Sequence, residues 1–328
     1  MERSSISQAV QIGVEAVPGT AVAATRRLGS IGVELGVQAD VNAQRPTGQK
    51  YANLQVLGKE WSEASVSGNP AYPELPYLFA SLMSAPTITP VLNGTVPVAS
   101  LWTFDSSSFG ADNPKTFTVE QGDAVRAQRA AYALLSDLTV GWSRDEVTLD
   151  GTMMARAIED GIALTPAAAM LPQVPVRPAE LSVYLDGAPA DLGLTKLLRA
   201  ISGDWKLASR FGPVWVVDAA QPSYVAHVEG EPEATFTLLQ QADAQGMANL
   251  VSMRNGSTRF CRLEAVGPII AGTVRHKMTL DMAGQISDVG SFSDEDGVYA
   301  AEWTFGAVHD PDWGRAMKVQ ITTTTAAL

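Results

Sequence analysis

Five residue pairs that favour tight hairpin turns recur along the chain and separate short stretches rich in β-branched and aromatic residues. The pairs are Asn93-Gly94, Asp150-Gly151, Asp186-Gly187, Asn255-Gly256 and Asp296-Gly297. Such pairs supply the positive φ angles that tight turns require. Several of the stretches alternate apolar with polar residues, the period of a half-buried strand. The predicted strands are residues 101–104, 116–119, 138–142, 147–149, 181–185, 214–217, 278–280 and 303–305. The pattern predicts a mainly-β protein.

Helical periodicity is scarce and is confined to three segments. The first, residues 75–83, begins just after Pro73 and stops before Pro86, and proline is tolerated in the first turn of a helix. The other two are residues 192–201 and, more weakly, residues 236–248. We therefore expect one or two short helices in each half of the chain.

A proline-rich segment near the middle divides the chain. Residues 166–178 contain four prolines, and proline at this density removes hydrogen-bond donors and favours an extended linker. We expect a first β domain at residues 1–165, a linker at 166–178 and a second β domain at 179–328. The two sides share an A-x-V-x-G-x-P pattern, at residues 64–70 and 226–232. This similarity predicts a fold duplicated in tandem.

Composition and charge narrow the possible partners. The chain is 46% hydrophobic but only 18% charged, below the roughly 25% of an average protein, which suggests that other subunits cover part of its surface. The net charge is −12, and the cations do not cluster as they would in a protein that grips nucleic acid. No apolar run is long enough for a membrane-spanning helix, and the N-terminus does not resemble a signal peptide. We expect synthesis in the cytoplasm and no membrane partner.

The residues of a catalytic or metal site do not come together in the sequence. The three histidines, His227, His276 and His309, lack the spacing of a helical zinc site. His276 stands between two basic residues and is expected at a solvated strand edge. The single cysteine, Cys261, lies in an alternating stretch, where a buried thiol is the expected state. We expect no enzyme activity, no cofactor and no metal.

One long segment has no obvious place in a compact β domain. Residues 37–57 are poor in charge, and loops of this length are uncommon unless they bind something. We interpret the segment as an arm that reaches a neighbouring molecule, the alternative being a disordered insertion.

Several segments carry a resemblance to a known family. Residues 11–25, QIGVEAVPGTAVAAT, fit an IG-x-E-x-x-x-GT start, and residues 118–123 read TVEQGD. Two further parts of the resemblance are the strand pair at 138–142 and 149–153 and the sequence DGVY at 296–299. Together they resemble the major tail tube proteins of long, flexible-tailed bacteriophages. The similarity is thin over most of the chain, and only the N-terminal stretch is fairly specific.

The resemblance implies a structural virion protein, a β-sandwich whose strands join those of its neighbours into a closed β-barrel ring. Rings would stack through N-terminal arms and long loops into a tube around a tape-measure protein. Viral DNA would later pass through the lumen without specific binding. The expected location is the virion tail, assembled in the host bacterial cytoplasm.

Length bears on the number of copies in a ring. Single-domain tube subunits are much shorter than this chain, so the resemblance implies either a duplicated tube domain or one tube domain with a decoration. Duplication would make a pseudo-hexameric ring from three copies, which we favour, and a single tube domain would need six. The expected stacking contacts are Ile12, Glu15, Pro18, Arg45, Pro46, Lys50 and Tyr51.

Two other functions stay open. The first is a different virion component, such as a tail terminator, a baseplate-hub protein or a capsid-decorating protein. The second is a carbohydrate-binding or hydrolytic β-sandwich. Its sugar platforms would come from Trp142, Trp215, Trp303 and Trp313, although tryptophans inside alternating strands are more often part of the core.

Overall fold

The computed structural model describes residues 8–218 and 220–328. The strands that precede the proline-rich segment are β1 (Ala9–Val14), β2 (Arg26–Leu28), β3 (Ile31–Gln44), β4 (Leu54–Gly68), β5 (Thr87–Asn93), β6 (Val96–Asp105), β7 (Phe117–Gly122), β8 (Ala127–Trp142), β9 (Val147–Ala155) and β10 (Glu159–Ile162). The remaining strands are β11 (Ala169–Met170), β12 (Leu181–Asp186), β13 (Ala200–Ala208), β14 (Phe211–Val214), β15 (Ala226–Glu229), β16 (Glu233–Gln241), β17 (Arg259–Ala271), β18 (Val274–Val289), β19 (Ser293–Glu295), β20 (Val298–Ala307) and β21 (Met317–Thr323).

The helices are short: α1 (Leu75–Leu82) in the first half, and α2 (Ala244–Met247) followed directly by α3 (Asn249–Arg254) in the second. The mainly-β prediction is confirmed, and so is the predicted helix at 75–83, which is buried along its whole length. Of the eight predicted strands, six fall within observed strands, 116–119 begins one residue before β7, and 214–217 overlaps β14 only at Val214.

Two helix predictions are wrong. Residues 192–199 form a loop that follows a short 3₁₀ turn at Pro189–Asp191, and residues 200–201 already belong to β13. Residues 236–241 belong to β16, because Ala234, Phe236, Leu238 and Gln240 are buried while the residues between them are less so. That period of two is the strand period. Helix begins only at Ala244, where Asp243 accepts a hydrogen bond from the Gly246 amide.

The architecture is dominated by one long antiparallel sheet that runs through both halves. Its eight strands lie in the order β3, β4, β9, β8, β13, β16, β20 and β18. The two halves meet where β8 pairs with β13, with Trp205 directly opposite Val140. At about 4.8 Å between strands, the sheet is about 34 Å wide.

Two strands belong to more than one sheet. The N-terminal part of β8 lies between β7 and β10, and β7 continues the layer to β1 and β2. The N-terminal part of β18 lies between β17 and β21, and β17 continues to β12. The side chains buried between these layers and the long sheet form the main hydrophobic core, which also covers α1.

Strand pairing follows the same order in both halves. The order β1–β7–β8–β9–β4–β3 in the first half matches β12–β17–β18–β20–β16–β13 in the second, and every pair is antiparallel. A one-residue bulge interrupts β8 after Leu135 and β18 after Ile286. The sequences at the bulge are Leu-Ser-Asp-Leu, at residues 135–138, and Ile-Ser-Asp-Val, at residues 286–289.

The A-x-V-x-G-x-P pattern does not fall on matching strands. Residues 64–70 end β4, whereas residues 226–232 form β15 and the approach to β16. In the common pairing order the counterpart of β4 is β16, so this sequence match has no structural equivalent.

The proline-rich segment at 166–178 packs along the first half. Within it, β11 pairs in parallel with β2, the Tyr72 amide donates to the Val174 carbonyl, and the Val176 amide donates to the Pro70 carbonyl. Leu171 and Val176 are buried. The segment is extended, and its backbone is held by hydrogen bonds.

One hairpin of the first half has no strand counterpart in the second. Strands β5 and β6 form a hairpin whose inner strand, β6, pairs with β21 near the C-terminus. Trp102 of β6 is fully buried, and its indole N–H donates to the Thr325 carbonyl. The hairpin therefore fastens the first half to the end of the second.

A buried ionic cluster also joins the halves. The Arg210 side chain has no solvent exposure and contacts Asp112, Glu229 and the Leu82 carbonyl. Its backbone amide donates to the Ser136 carbonyl at the β8 bulge. Through this one residue, hairpin β14–β15 is held to the end of α1 and to the loop before β7.

Candidate functional surface

One face of the long sheet is apolar and covers the core. The other is polar except where Met154 of β9, opposite Glu63 of β4, is buried with Leu134 of β8 and Phe211 of β14. Residues directly opposite each other on paired strands point to the same face, so the pairing registers define what we call the polar face. It consists of Gly32, Glu34 and Gly36 of β3; Glu63, Ser65 and Ser67 of β4; Thr148, Asp150 and Thr152 of β9; Asp137, Thr139 and Gly141 of β8; Ser202, Asp204 and Lys206 of β13; Thr235, Thr237 and Leu239 of β16; Glu302, Thr304 and Gly306 of β20; and Gln285 and Asp288 of β18.

Small and hydroxyl-bearing residues make up most of the polar face, and its charges are mainly negative. The carboxylates are Glu34, Glu63, Asp137, Asp150, Asp204, Glu302 and Asp288, and within the face Lys206 is the cation. None of the members is buried. The result is a broad acidic surface with few apolar groups that a passing polymer could adhere to.

The pKa of Asp204 reflects both its partial burial and the negative charge around it. Partial burial raises the pKa of the Asp204 carboxyl above its ordinary value, and the carboxylate of nearby Glu302 adds to that rise. Lys206 and a hydrogen bond with Thr237 act in the opposite direction but do not cancel it. An added anion would meet the same repulsion.

Both edges of the long sheet lack a partner strand within the described ranges. At one edge, β3 pairs with β4 alone, and the Leu35 amide donates instead to the side-chain oxygen of Gln121 (2.9 Å). At the other, residues 285–289 of β18 pair with β20 alone. Leu35, Ile286 and Val289 pack against the core but are only partly buried. Open edges of this kind invite another strand.

Beyond the sheet, β3 and β4 continue as a projecting hairpin, which we call the arm (residues 37–59). Every residue of the arm is exposed, including Val41, Tyr51, Leu54 and Leu57. The arm carries three cations, Arg45, Lys50 and Lys59, and one carboxylate, Asp40, although the protein as a whole is acidic. The hairpin is ordered by strand pairing, and the interpretation of 37–57 as an arm that reaches a neighbouring molecule stays a prediction.

The arm residues predicted as stacking contacts lie together at its tip. Arg45 and Pro46 directly follow the end of β3. The Gln49 amide closes a turn onto the Pro46 carbonyl, and the Lys50 ammonium lies 5.5 Å from the centre of the Tyr51 ring. All four predicted side chains are exposed, and their use in stacking stays a prediction.

At the other end, the arm is anchored by aromatic contacts. The rings of Trp61 and Trp215 meet edge to face with centres 5.7 Å apart, and the Lys59 ammonium lies 5.1 Å from the Trp215 ring centre. Trp215 belongs to the loop that follows β14. The direction of the arm is therefore fixed where it leaves the body of the subunit.

The N-terminal residues predicted as stacking contacts occupy a different environment. Ile12 is 2% exposed and Glu15 is 5% exposed, whereas Pro18 is exposed. The Glu15 carboxylate accepts hydrogen bonds from the Gly19 and Tyr132 amides and from the Thr116 and Thr118 hydroxyls, at 2.7–2.9 Å. Ile12 and Glu15 can therefore affect stacking only through the exposed residues 16–18 that they hold in place.

The tryptophans considered as sugar platforms divide into two pairs. Trp142 and Trp303 are buried, so they cannot present a ring to a sugar. Trp215 and Trp313 are partly exposed, but Trp215 packs on Trp61, and Trp313 packs edge to face on Phe260. Trp215 also lines a surface cavity together with Lys59, Asp218 and Gln221, so its use as a sugar platform stays a prediction.

The residues considered for chemistry are dispersed. Cys261 is buried, and burial raises the pKa of its thiol. His276 is buried beside Tyr72, so its prediction at a solvated edge is wrong. His227 lies in β15 and contacts Tyr132. Over residues 8–218 and 220–328, no three His, Cys, Asp or Glu side chains are grouped to hold a metal, and no helix could span a membrane.

The polar face could in principle have been recognised from the sequence. Its members occupy alternate positions in each strand and are small, hydroxylated or acidic, as in Thr235 and Thr237 of β16 or Glu63, Ser65 and Ser67 of β4. What the sequence did not show was which strands are neighbours. No protein-family model and no curated protein matches this chain.

Proposed function

We propose that this protein is the major subunit of a phage tail tube, a structural protein that polymerises into stacked rings around a central channel. The observation that carries the proposal is the long sheet itself, which is open at both edges and polar over most of one face. A broad acidic face with few apolar groups suits the wall of a channel through which an anionic polymer passes.

Ring closure follows from the open edges. An unpaired strand edge is a liability that proteins remove by covering it or by closing the sheet. Because β3 and β18 stand at opposite ends of one sheet, the edge of one copy can meet the other edge of the next. Such a head-to-tail contact generates a closed ring when the rotation returns to the start.

The common strand order supports a tandem duplication of the tube domain. Six matching strands in each half, a bulge at the same place and the Leu-Ser-Asp-Leu and Ile-Ser-Asp-Val sequences all agree. If each half fills one place in a pseudo-hexameric ring, three copies close it. A hexamer of whole chains would instead require that only one half line the channel.

The acidic polar face is the proposed channel wall. DNA carries a high density of negative charge, and a surface of like charge keeps it from adhering. The passage of viral DNA would therefore need no specific binding, and before ejection the same channel would hold the tape-measure protein. The exposed arm, with Arg45, Pro46, Lys50 and Tyr51 at its tip, is the proposed contact between rings, in a virion tail assembled in the bacterial cytoplasm.

Electron microscopy of the purified protein, together with its mass in solution, tests the proposal. We expect hollow filaments or stacked rings, and a single-ring species of three times the 34.7 kDa subunit mass. Single rings that never stack would favour a terminator, hub or decoration protein. A monomer at every salt and protein concentration would contradict the proposal.

A further inference from the structure

The joint between the two halves provides a template for the joint between two copies. Within the chain, residues 138–142 of β8 pair antiparallel with residues 203–207 of β13. Leu138 lies opposite Leu207, and both are fully buried. The joint is therefore a continuous part of the sheet and core.

The strand order assigns a counterpart to each side of this joint. Reading across the sheet, the row Leu35–Ala64–Met153–Leu135 in the first half matches the row Trp205–Phe236–Phe305–Ile286 in the second. Both rows end one residue before the shared bulge. Thus β13 corresponds to β3 and β8 to β18, and both β3 and β18 have an open edge. Residues 138–142 of the internal joint correspond to residues 289–293, so the joint and the open edge of β18 share the position of Val289.

Residue equivalence then fixes a register. Trp205 corresponds to Leu35, so Leu207 corresponds to Val37. Leu135 corresponds to Ile286 and the bulge is shared, so Leu138 corresponds to Val289. Since Leu207 faces Leu138 in the internal joint, Val37 is placed opposite Val289.

The solvent exposure of Val37 and Val289 is consistent with a strand pairing that a second copy would complete. Val37 is 61% exposed, and Val289 is only partly buried, whereas their counterparts in the internal joint have no exposure. On the polar face, the next pair in the same register is Gln38 opposite Asp288, an amide facing a carboxylate. The charges of the two edges therefore do not oppose this register.

We propose that β3 of one copy pairs antiparallel with β18 of a second copy of this chain, with Val37 opposite Val289 and Gln38 opposite Asp288. This rests on the proposed function, because it requires copies to assemble side by side. The Gln121 side chain, which accepts the Leu35 amide in the single subunit, gives way to the incoming strand.

Cysteine pairs test the register. The Leu35 amide points away from β4, and backbone amides alternate in direction along a strand. The Gln38 amide, three residues later, therefore points towards β4. In the proposed pairing Gln38 takes a non-hydrogen-bonded position, where opposed Cα atoms lie about 4.5 Å apart. That spacing suits a disulfide. The variant Gln38→Cys with Asp288→Cys places two exposed residues at opposite ends of the sheet, too far apart to react within one chain. The native Cys261 is buried and will not compete.

The matched control is Gln38→Cys with Gln285→Cys. Gln285 is also exposed and on the polar face, but it lies three residues from Asp288 along β18, a distance of about 10 Å. On mild oxidation we expect at least about tenfold more covalent dimer and trimer from the first variant, because disulfides form only over short distances. Products should end at the trimer. The pair Val37→Cys with Val289→Cys repeats the test should the first variant not assemble.

The outcomes separate the two proposals. Rings in the microscope with cross-linking only in the displaced control, or in neither pair, overturn the register and leave the tube function standing. No assembly by the unmodified protein overturns both. Cross-linking that ends at the dimer would show a closed pair in place of a ring and would also overturn the inference.

Discussion

Asp112 and Arg210 form an ion pair in which neither side chain has any solvent exposure. Burial by itself would raise the pKa of Asp112, but hydrogen bonds from the Ser107 amide and the Ser84 and Ser106 hydroxyls, with the Arg210 charge, hold it below its ordinary value. The pair connects the loop before β7, in the first half of the chain, to the start of hairpin β14–β15, in the second half.

Replacing Arg210 should destabilise the subunit strongly. We expect Arg210→Met to lower the free energy of unfolding by about 3–5 kcal/mol, because it leaves a buried carboxylate without its partner. The control is Arg199→Met, since Arg199 makes an exposed ion pair with Asp243 at 3.6 Å and such pairs contribute less than about 1 kcal/mol. Denaturant unfolding of unassembled subunits measures both, and equal losses would contradict the assignment.

The same pair predicts a dependence of stability on pH. Because the pKa of Asp112 is lower in the folded protein than in the unfolded chain, its contribution is fully present above the unfolded value of about 3.9. It is lost as pH falls through the folded pKa. Unfolding midpoints should drop more steeply below about pH 4 in the native protein than in Arg210→Met. Parallel curves would show that Asp112 does not contribute in this way.

Glu15 should prove structural. We expect Glu15→Ala to cost about 3 kcal/mol of unfolding free energy, because the buried amides and hydroxyls that it accepts from lose their partner. Pro18→Ala, three residues away and exposed, should leave the unfolding midpoint unchanged. Thermal unfolding measures both. A Glu15→Ala protein of native stability that fails only to polymerise would restore Glu15 as a direct stacking contact.

Reversing the charge of the arm tip should shorten the tube without unfolding the subunit. We expect Arg45→Glu with Lys50→Glu to reduce filament length and yield, because two exposed cations become anions in a protein that is already acidic. The matched control is Arg254→Glu, which changes an exposed cation on α3. Filament lengths from micrographs and the unfolding midpoint are the measurements, and unchanged lengths would count against the arm as the stacking contact.

Reversing charge on the polar face should make the tube retain DNA. We expect assembled Glu63→Lys, Asp150→Lys, Glu302→Lys tubes to bind DNA with an affinity that falls steeply as salt rises, since lysines release counterions from phosphates. The neutral variant Glu63→Gln, Asp150→Asn, Glu302→Gln occupies the same positions and should bind none. Filter binding over a salt series distinguishes them, and equal binding by both variants would contradict a lumenal acidic face.

Local signals in the sequence predicted local structure well. The predicted helix at 75–83 was correct because Pro76 lies in the first turn, where proline is tolerated, and the apolar residues around it are buried along the helix. Asn93-Gly94 and Asp296-Gly297 form the hairpin turns of β5–β6 and β19–β20, with positive φ at both glycines. In these cases the deciding interactions lie within a few residues of one another.

Predictions that depended on distant neighbours were less successful. Asp150-Gly151 reads as a turn but lies inside β9, where Asp150 belongs to the polar face. His276 reads as solvated because of its charged neighbours, yet Tyr72, about two hundred residues earlier, covers it with ring centres 5.4 Å apart. Strand neighbours such as β8 and β13 cannot be read from either strand alone, so the polar face and its open edges appear only in the folded chain.

The β5–β6 hairpin belongs to one half of the chain alone, and its outer strand carries Pro90, a residue that discourages further strand addition. In a ring built from three such chains, the hairpin would recur at alternate positions around the circumference. The particle would look sixfold along its bore and threefold on its exterior. Image averaging under sixfold symmetry would blur that hairpin, while threefold averaging would resolve it, so the outer density alone would report how many chains make a ring.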